Sequence, residues 1–225
     1  MDTAAPWATT IAIHMRDADL LMLTQWLSPA YPIGAFAWSH GLESAVARGD
    51  VSGAEGLAAW LHDVLTLGAG RSDAILLVAA YEADDPEETA ALAAALAPSK
   101  ERRMETLQQG AAFAATTRDV WGLDLPDMAY PVAVGRAAGL KSLPVLPVTQ
   151  VWLQGFASNL VQAALRLMPL GQTAGAQILA GLTPTILTIA EEAQAASLDD
   201  LGATTFAVDI ASMQHADLPS RIFRS

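Results

Sequence analysis

The amino-acid sequence predicts an all-α, single-domain multi-helix bundle with a flexible C-terminal tail. Three observations carry that expectation. Ala and Leu dominate, and alternating runs of Val, Ile, Thr and aromatic residues, the mark of strands, do not occur. Apolar residues recur at helical spacing in segment after segment. No internal repeat, low-complexity linker or shift in composition divides the 225 residues, a length that buries a substantial core in one domain.

Residues 1–18 are expected to form a mobile N-terminal arm. Asp19 to Leu27 reads as a first short helix, stopped by Ser28-Pro29. A loop, Pro29 to Ile33, leads into a helix from about Gly34 to Ala47, closed by Gly49. Ser52 is placed as an N-cap, and Glu55 completes a capping box for a helix to about Leu67. Ser72 to Ala83 carries a narrow apolar stripe, Ile75, Leu76, Ala79 and Ala80. Asp84-Asp85-Pro86 breaks it, and Pro86 starts the next helix through Leu96. Ser99 caps a longer helix to about Trp121, with Met104, Leu107, Ala111, Ala114 and Ala115 on one face. Leu125-Pro126 and Gly139 bracket a short helix. Pro147 opens one that contains Trp152, Phe156 and Leu160 and ends at Pro169-Leu170-Gly171. Another runs from Gln172 to Ala196 with a bend at Pro184, and the last, near Thr205 to Ala216, releases a tail over residues 218–225.

Composition narrows the function. Net charge is −12, from 24 acidic and 12 basic residues, which repels phosphate backbones and argues against nucleic-acid binding. There is no cysteine, hence no disulfide framework, thiolate metal site or cysteine nucleophile. Apolar residues reach 52% and charged residues only 16%, which predicts buried subunit or partner interfaces. Between Lys141 and Glu191 the only charge is Arg166. Many Pro, Gln and Asn residues interrupt that stretch, so helices buried in a protein assembly fit it better than a membrane span. No signal peptide is visible near Asp17 and Asp19, consistent with a cytoplasmic location.

No catalytic constellation is legible. A phosphate-cradling Gly-x-x-x-x-Gly-Lys-Ser/Thr loop is missing, and Lys100 and Lys141 are the only lysines. Ser39 and His40 are adjacent, which puts them on different faces of the expected helix and spoils a nucleophile–base pair. They read as polar groups on a helix surface. His14, His40, His62 and His215 are scattered without i, i+4 spacing, so neither a metal site nor a cofactor is expected.

Two segments stand out instead. In the first, Tyr31 to Glu43, Phe36 and Trp38 are two apart and cannot both point into one core face, so one ring meets solvent or a partner unless two separate pockets take them. The second is the tail, Arg221-Ile222-Phe223-Arg224-Ser225, which joins two guanidinium groups and two large apolar side chains where chains are usually frayed and polar. An arginine fork beside an aromatic ring is a recognition surface for carboxylate, phosphate or a flat group. The tail is expected to be loosely packed in the isolated chain and to order on a partner.

These residues together resemble the family of urease accessory proteins called UreF. The resemblance runs from Leu20–Trp26 through Pro32-Ile33-Gly34-Ala35-Phe36-Ala37-Trp38-Ser39-His40-Gly41-Leu42-Glu43, then Glu101-Arg102-Arg103 and Gln108-Gln109-Gly110-Ala111. It continues through Tyr130-Pro131-Val132, Gly135 and Pro169-Leu170-Gly171-Gln172 to Met213-Gln214-His215 and Ser220–Ser225. The family often has Tyr at the position of Phe36, Glu at Ala216 and Leu at Ile222. The resemblance implies a non-catalytic, dimeric adaptor that binds UreD (also called UreH), recruits the GTPase UreG and delivers nickel to apo-urease. It also implies a second reading, a GTPase-activating regulator that supplies an arginine to UreG in trans. Carried over, the partner-binding residues are Phe36, Ser39, His40, Glu43, His215, Arg221, Phe223, Arg224 and Ser225, the tail ordering on UreD/UreH to help recruit UreG.

Overall fold

Small residues let two central helices approach closely. In the computed structural model, which describes residues 15–225, α4 (Ala69–Glu82) and α7 (Tyr130–Leu140) make the most extensive helix–helix contact. Gly135 lies against the Leu77 carbonyl, and a Cβ at Gly139 would stand 2.6 Å from the Tyr81 carbonyl oxygen. On the other side of α7 packs α6 (Lys100–Trp121), where Gly110 sits against the Met128 carbonyl. Backbone replaces side chain at these crossings, so the axes come nearer than leucine packing permits.

Around this centre lie α1 (Asp17–Trp26), α2 (Leu42–Arg48), α3 (Gly53–Thr66), α5 (Glu87–Ala95), α8 (Val145–Leu167), α9 (Gln172–Gly181), α10 (Thr183–Ala195) and α11 (Phe206–Gln214). Three short 3-10 turns join them, at Ala35–Ala37, Leu198–Asp200 and His215–Asp217. No strand occurs among the described residues. The fold is a single all-α domain, as the composition predicts. Trp26 is fully buried, edge-on to Phe113 and Trp121 with both ring centroids 5.7 Å away. Tyr31 follows it into the core and hydrogen-bonds Thr117 at 2.9 Å, which anchors the start of the 31–43 segment.

Several boundaries differ from expectation for local reasons. Residues 1–14, including His14, lie outside the described residues, whereas Asp17 and Ala18, expected in the arm, open α1. At Ser99 the expected cap is present, its hydroxyl accepting the Arg102 amide at 3.0 Å. Ser52 precedes α3 in extended geometry but its side chain makes no cap hydrogen bond; Gly53 opens that helix in a left-handed conformation, φ 65°. A capping box forms instead at Ser197 and Asp200. Helix α8 begins before Pro147, which costs nothing because first-turn amides have no intrahelical acceptor. The stretch expected as one bent helix is two, α9 and α10, turned 40° at Leu182 with Pro184 in the first turn of α10.

The charge-poor region supplies part of the protein's own core. Leu143, Val148, Trp152, Leu153, Leu160, Val161, Ile186 and Ile189 are all buried within the chain. Among the described residues one helical stretch, Gly53–Glu82, is long and apolar enough to cross a membrane, and 61% of its most apolar window is buried inside the protein.

The packing predicts opposite outcomes for two glycine-to-alanine changes. Gly135→Ala forces a methyl group into the Leu77 carbonyl and should cost about 2 kcal/mol, within the usual range for overpacking. Gly56→Ala, inside α3 with nothing near its Cβ position, should add roughly 0.5–1 kcal/mol. Urea unfolding curves for the two variants check both the size and the sign.

Candidate partner-binding site

The site begins with a break in the backbone. The helix expected from Gly34 to Ala47 is not continuous. After the Ala35–Ala37 turn, Trp38 is extended (φ −122°, ψ 140°), and His40 and Gly41 are left-handed (φ 55° and 79°). Two successive left-handed residues cannot lie within a right-handed helix. Gly41 must be glycine on a second count, since a Cβ there would stand 2.7 Å from the Ser212 amide nitrogen. The break separates the two rings: Trp38 is 2% exposed and Phe36 is 75% exposed. It also corrects the placement of Ser39 and His40, which are buried rather than on a helix surface.

What they face is the C-terminal segment. The tail, expected to be flexible and loosely packed, is seated on the body. The Arg224 amide donates to the Ala37 carbonyl at 2.8 Å, and the Ser39 amide donates to the Ser225 carbonyl at 2.9 Å. The Ser39 hydroxyl donates to that same carbonyl, so it is spent on the tail and not on a histidine base. Alternate residues turn inward, as an extended segment requires: Phe223 and Ser225 are buried, while Ile222 and Arg224 are exposed. The Arg166 guanidinium lies 4.3 Å from the centroid of the Phe223 ring and donates to the Phe36 carbonyl at 3.0 Å. Arg224 reaches Gln108 at 3.1 Å and lies 5.6 Å from the Trp38 ring centroid.

An ionic cluster holds the tail from below. Glu43, on the first turn of α2, accepts the Ile222 amide at 2.7 Å and the Phe223 amide at 3.0 Å. Its Oε2 also meets His215 Nε2 at 2.9 Å. The other ring nitrogen of His215, Nδ1, meets Glu101 at 2.8 Å, and the second Glu101 oxygen accepts from Arg221 at 2.9 Å. Beneath this lie Arg102, paired with Asp73 at 2.8 Å, and Glu105, which is 3.7 Å from His40 and accepts the Ser225 hydroxyl at 3.4 Å. Burial pushes the Glu43 carboxyl up, but the hydrogen bonds from His215 and from the Ile222 and Phe223 amides outweigh it and hold it below the ordinary value. Burial likewise pushes Glu105 up, and Arg102, His40 and the Ser225 hydroxyl together more than offset it. At Asp73 burial prevails over Arg102, and the carboxyl sits above its usual range.

The expected site residues therefore divide by role. Ser39, His40, Glu43 and His215 build the seat and are covered by it; Phe223 and Ser225 fill it. Phe36, Arg221 and Arg224 remain on the surface. Sequence reasoning did not assign Glu101, Glu105, Gln108, Arg166 or Ile222 to the site. Arg166 carried a signal, as the lone charge in a long apolar stretch, and Glu101, Gln108 and Ile222 lie in the motifs that carry the family resemblance; Glu105 carried none. Although the fold brings His40 and His215 toward one cluster, no group of three or more His, Asp or Glu side chains among the described residues could hold a metal ion. The two nitrogens of His215 face two separate carboxylates, so the groups do not converge on one point.

Fold and site together define an all-helical protein whose most elaborate polar constellation holds its own C-terminal segment against the body. The family model that matches this chain is UreF, over residues 51–183. The chain is 52% identical over 208 residues to the urease accessory protein UreF of Cereibacter sphaeroides strain KD131, covering 92% of this chain and 99% of the relative. It is 46% identical over 218 residues to the urease accessory protein UreF of Roseobacter denitrificans, covering 96% and 98%. The chain belongs to the UreF family of urease accessory proteins.

Glu43→Gln should loosen the tail at neutral pH, because an amide cannot match a carboxylate that accepts from two backbone amides and an imidazole. Hydrogen bonds to a charged group contribute about 1.5–3 kcal/mol, so hydrogen exchange at Ile222 and Phe223 should accelerate tenfold or more. The pH dependence has a definite sign. Glu43 is held low in the folded state, so its contribution is complete above the ordinary carboxylate range, about pH 4–4.5, and is lost as pH falls through the lower folded value. The difference in exchange between wild type and Glu43→Gln should shrink over that acid window, which a pH series measures directly.

Proposed function

We propose that this member of a urease accessory family is a urease maturation factor that works as a non-catalytic, dimeric adaptor in the cytoplasm. It binds UreD/UreH and recruits the GTPase UreG, so that nickel, as cargo, reaches apo-urease in a GTP-dependent step. The observation that supports this most is the continuous surface formed by the outer edge of the seated tail and the exposed Phe36 ring. Arg166 ties the two together through the Phe36 carbonyl and the Phe223 ring. The surface presents Phe36, Arg221, Ile222 and Arg224, an apolar and cationic combination that suits a protein partner. Because the seat already orders the tail, association loses less conformational entropy than it would with a free segment.

The adaptor reading is favoured over an arginine supplied to UreG in trans. Arg221 is held by Glu101, and Arg224 by Gln108 and Trp38, so both guanidinium groups are engaged within the chain. For the dimer, the charge-poor stretch gives part of its apolar surface to the internal core, through Trp152, Leu153, Leu160 and Ile186, and leaves part outside it, as at Leu187, 42% exposed. Apolar area is left open elsewhere: on α11, Phe206, Ile210 and Met213 lie at i, i+4 and i+7 and are 72%, 50% and 53% exposed.

Co-purification with UreD/UreH and UreG, with mass measured by light scattering, tests the assembly. Deleting residues 220–225 should leave helix content nearly unchanged and abolish capture of UreD/UreH; normal capture by the truncated chain overturns the reading. Arg221→Ala should weaken assembly with UreG by about 2 kcal/mol, and Arg221→Lys should restore little, because an ammonium cannot keep the Glu101 contact and present a planar fork outward. Full urease activation with the lysine variant would reduce Arg221 to a simple positive charge.

A further inference from the structure

His215 is fully buried, so no partner reaches it while the tail is seated. Yet it is the one side chain that touches both Glu43 and Glu101, the carboxylates that hold the Ile222 and Phe223 amides and Arg221. Glu43 uses Oε1 for the Ile222 amide and Oε2 for the Phe223 amide and His215; Glu101 uses Oε1 for Arg221 and Oε2 for His215. The chain of contacts is closed: tail amides, Glu43, His215, Glu101, Arg221, and back to the tail. We propose that His215 is a positioning residue that, by donating from both ring nitrogens at once, aims Glu43 and Glu101 and so fixes the register of the C-terminal segment. The inference rests on the reading of the tail as a partner surface, but its structural content can be tested without any partner.

The chemistry follows from proton counting. An ionised carboxylate only accepts hydrogen bonds, and a neutral imidazole has a single N–H. With both carboxyls ionised, contacts of 2.8 and 2.9 Å from the two ring nitrogens need two protons on the ring, or a lone pair would face a lone pair. As an imidazolium, His215 balances one of the two carboxylates, and Arg221 balances the other. In the layer beneath, Arg102 pairs with Asp73 and Glu105, and His40 lies 3.7 Å from Glu105. Neither asparagine nor glutamine replaces the ring. Asn reaches approximately the Nδ1 position and Gln approximately the Nε2 position, so each supplies one of the two donors.

The test uses the full chain labelled with nitrogen-15. At pH 7, the assigned His215 ring should show both nitrogens protonated, with two slowly exchanging N–H protons. A neutral ring with one bare nitrogen overturns the proposal, and this measurement needs no variant that might fail to fold. Next, His215→Asn and His215→Gln should each accelerate hydrogen exchange at Ile222 and Phe223 at least tenfold while the slowest amides of α4 and α7 keep their protection. Unchanged exchange at Ile222 and Phe223 in both variants overturns the positioning role, whatever happens to partner binding. If tail order is lost in the variants and UreD/UreH capture persists, the positioning role stands and the partner reading of the tail fails.

Discussion

The buried carboxylate of Glu43 is the constraint on which this end of the molecule depends. An ionised carboxyl removed from water is strongly unfavourable unless its lone pairs are met by donors. Here the donors come from two elements remote in sequence: the imidazole of His215 and the backbone amides of Ile222 and Phe223. The tail and the end of α11 are thus conditions for each other through α2. The same contacts answer a second question, where the amides of an extended terminal segment find acceptors, since that segment has no helix or sheet partner.

The frame that makes the cluster possible is one of small residues. Helix α6 carries Glu101, Arg102, Glu105 and Gln108 toward the tail, and its position is set by close packing on α7 at Gly110, while α7 in turn lies against α4 at Gly135. A shift of α6 by the width of a methyl group would move four polar side chains together. Interiors packed this tightly transmit displacement rather than absorb it. The glycines at the centre of the bundle therefore help place ionic contacts on another face.

Sparse charge acquires a meaning in this arrangement. Only 16% of the residues are charged, yet Arg102, Arg166, Arg221 and Arg224 gather with Glu43, Glu101 and Glu105 around one short segment. Ionic clusters of this kind contribute little net stability relative to apolar packing, and breaking one partner is strongly unfavourable. They serve specificity: one register of the tail satisfies all of them, and displaced registers leave charges unpaired.

Much was decided by the sequence alone. Helical period, Ala and Leu content, the cap at Ser99 and the interruption at Pro184 are local signals, so the all-α class and most helices were legible without tertiary information. The C-terminal segment and the Phe36–Glu43 segment could likewise be singled out, because two arginines with two apolar side chains at a terminus, and two rings two residues apart, conflict with ordinary local rules. Their relation was not legible. That position 41 admits no side chain depends on the approach of Ser212 to Gly41, a contact between residues more than 170 positions apart. That the tail is seated depends on Glu43, Glu101 and Arg166, which arrive from three different helices. Local sequence encodes backbone preference and periodicity, whereas the pairing of buried charges depends on where helices cross, and only the folded chain decides that.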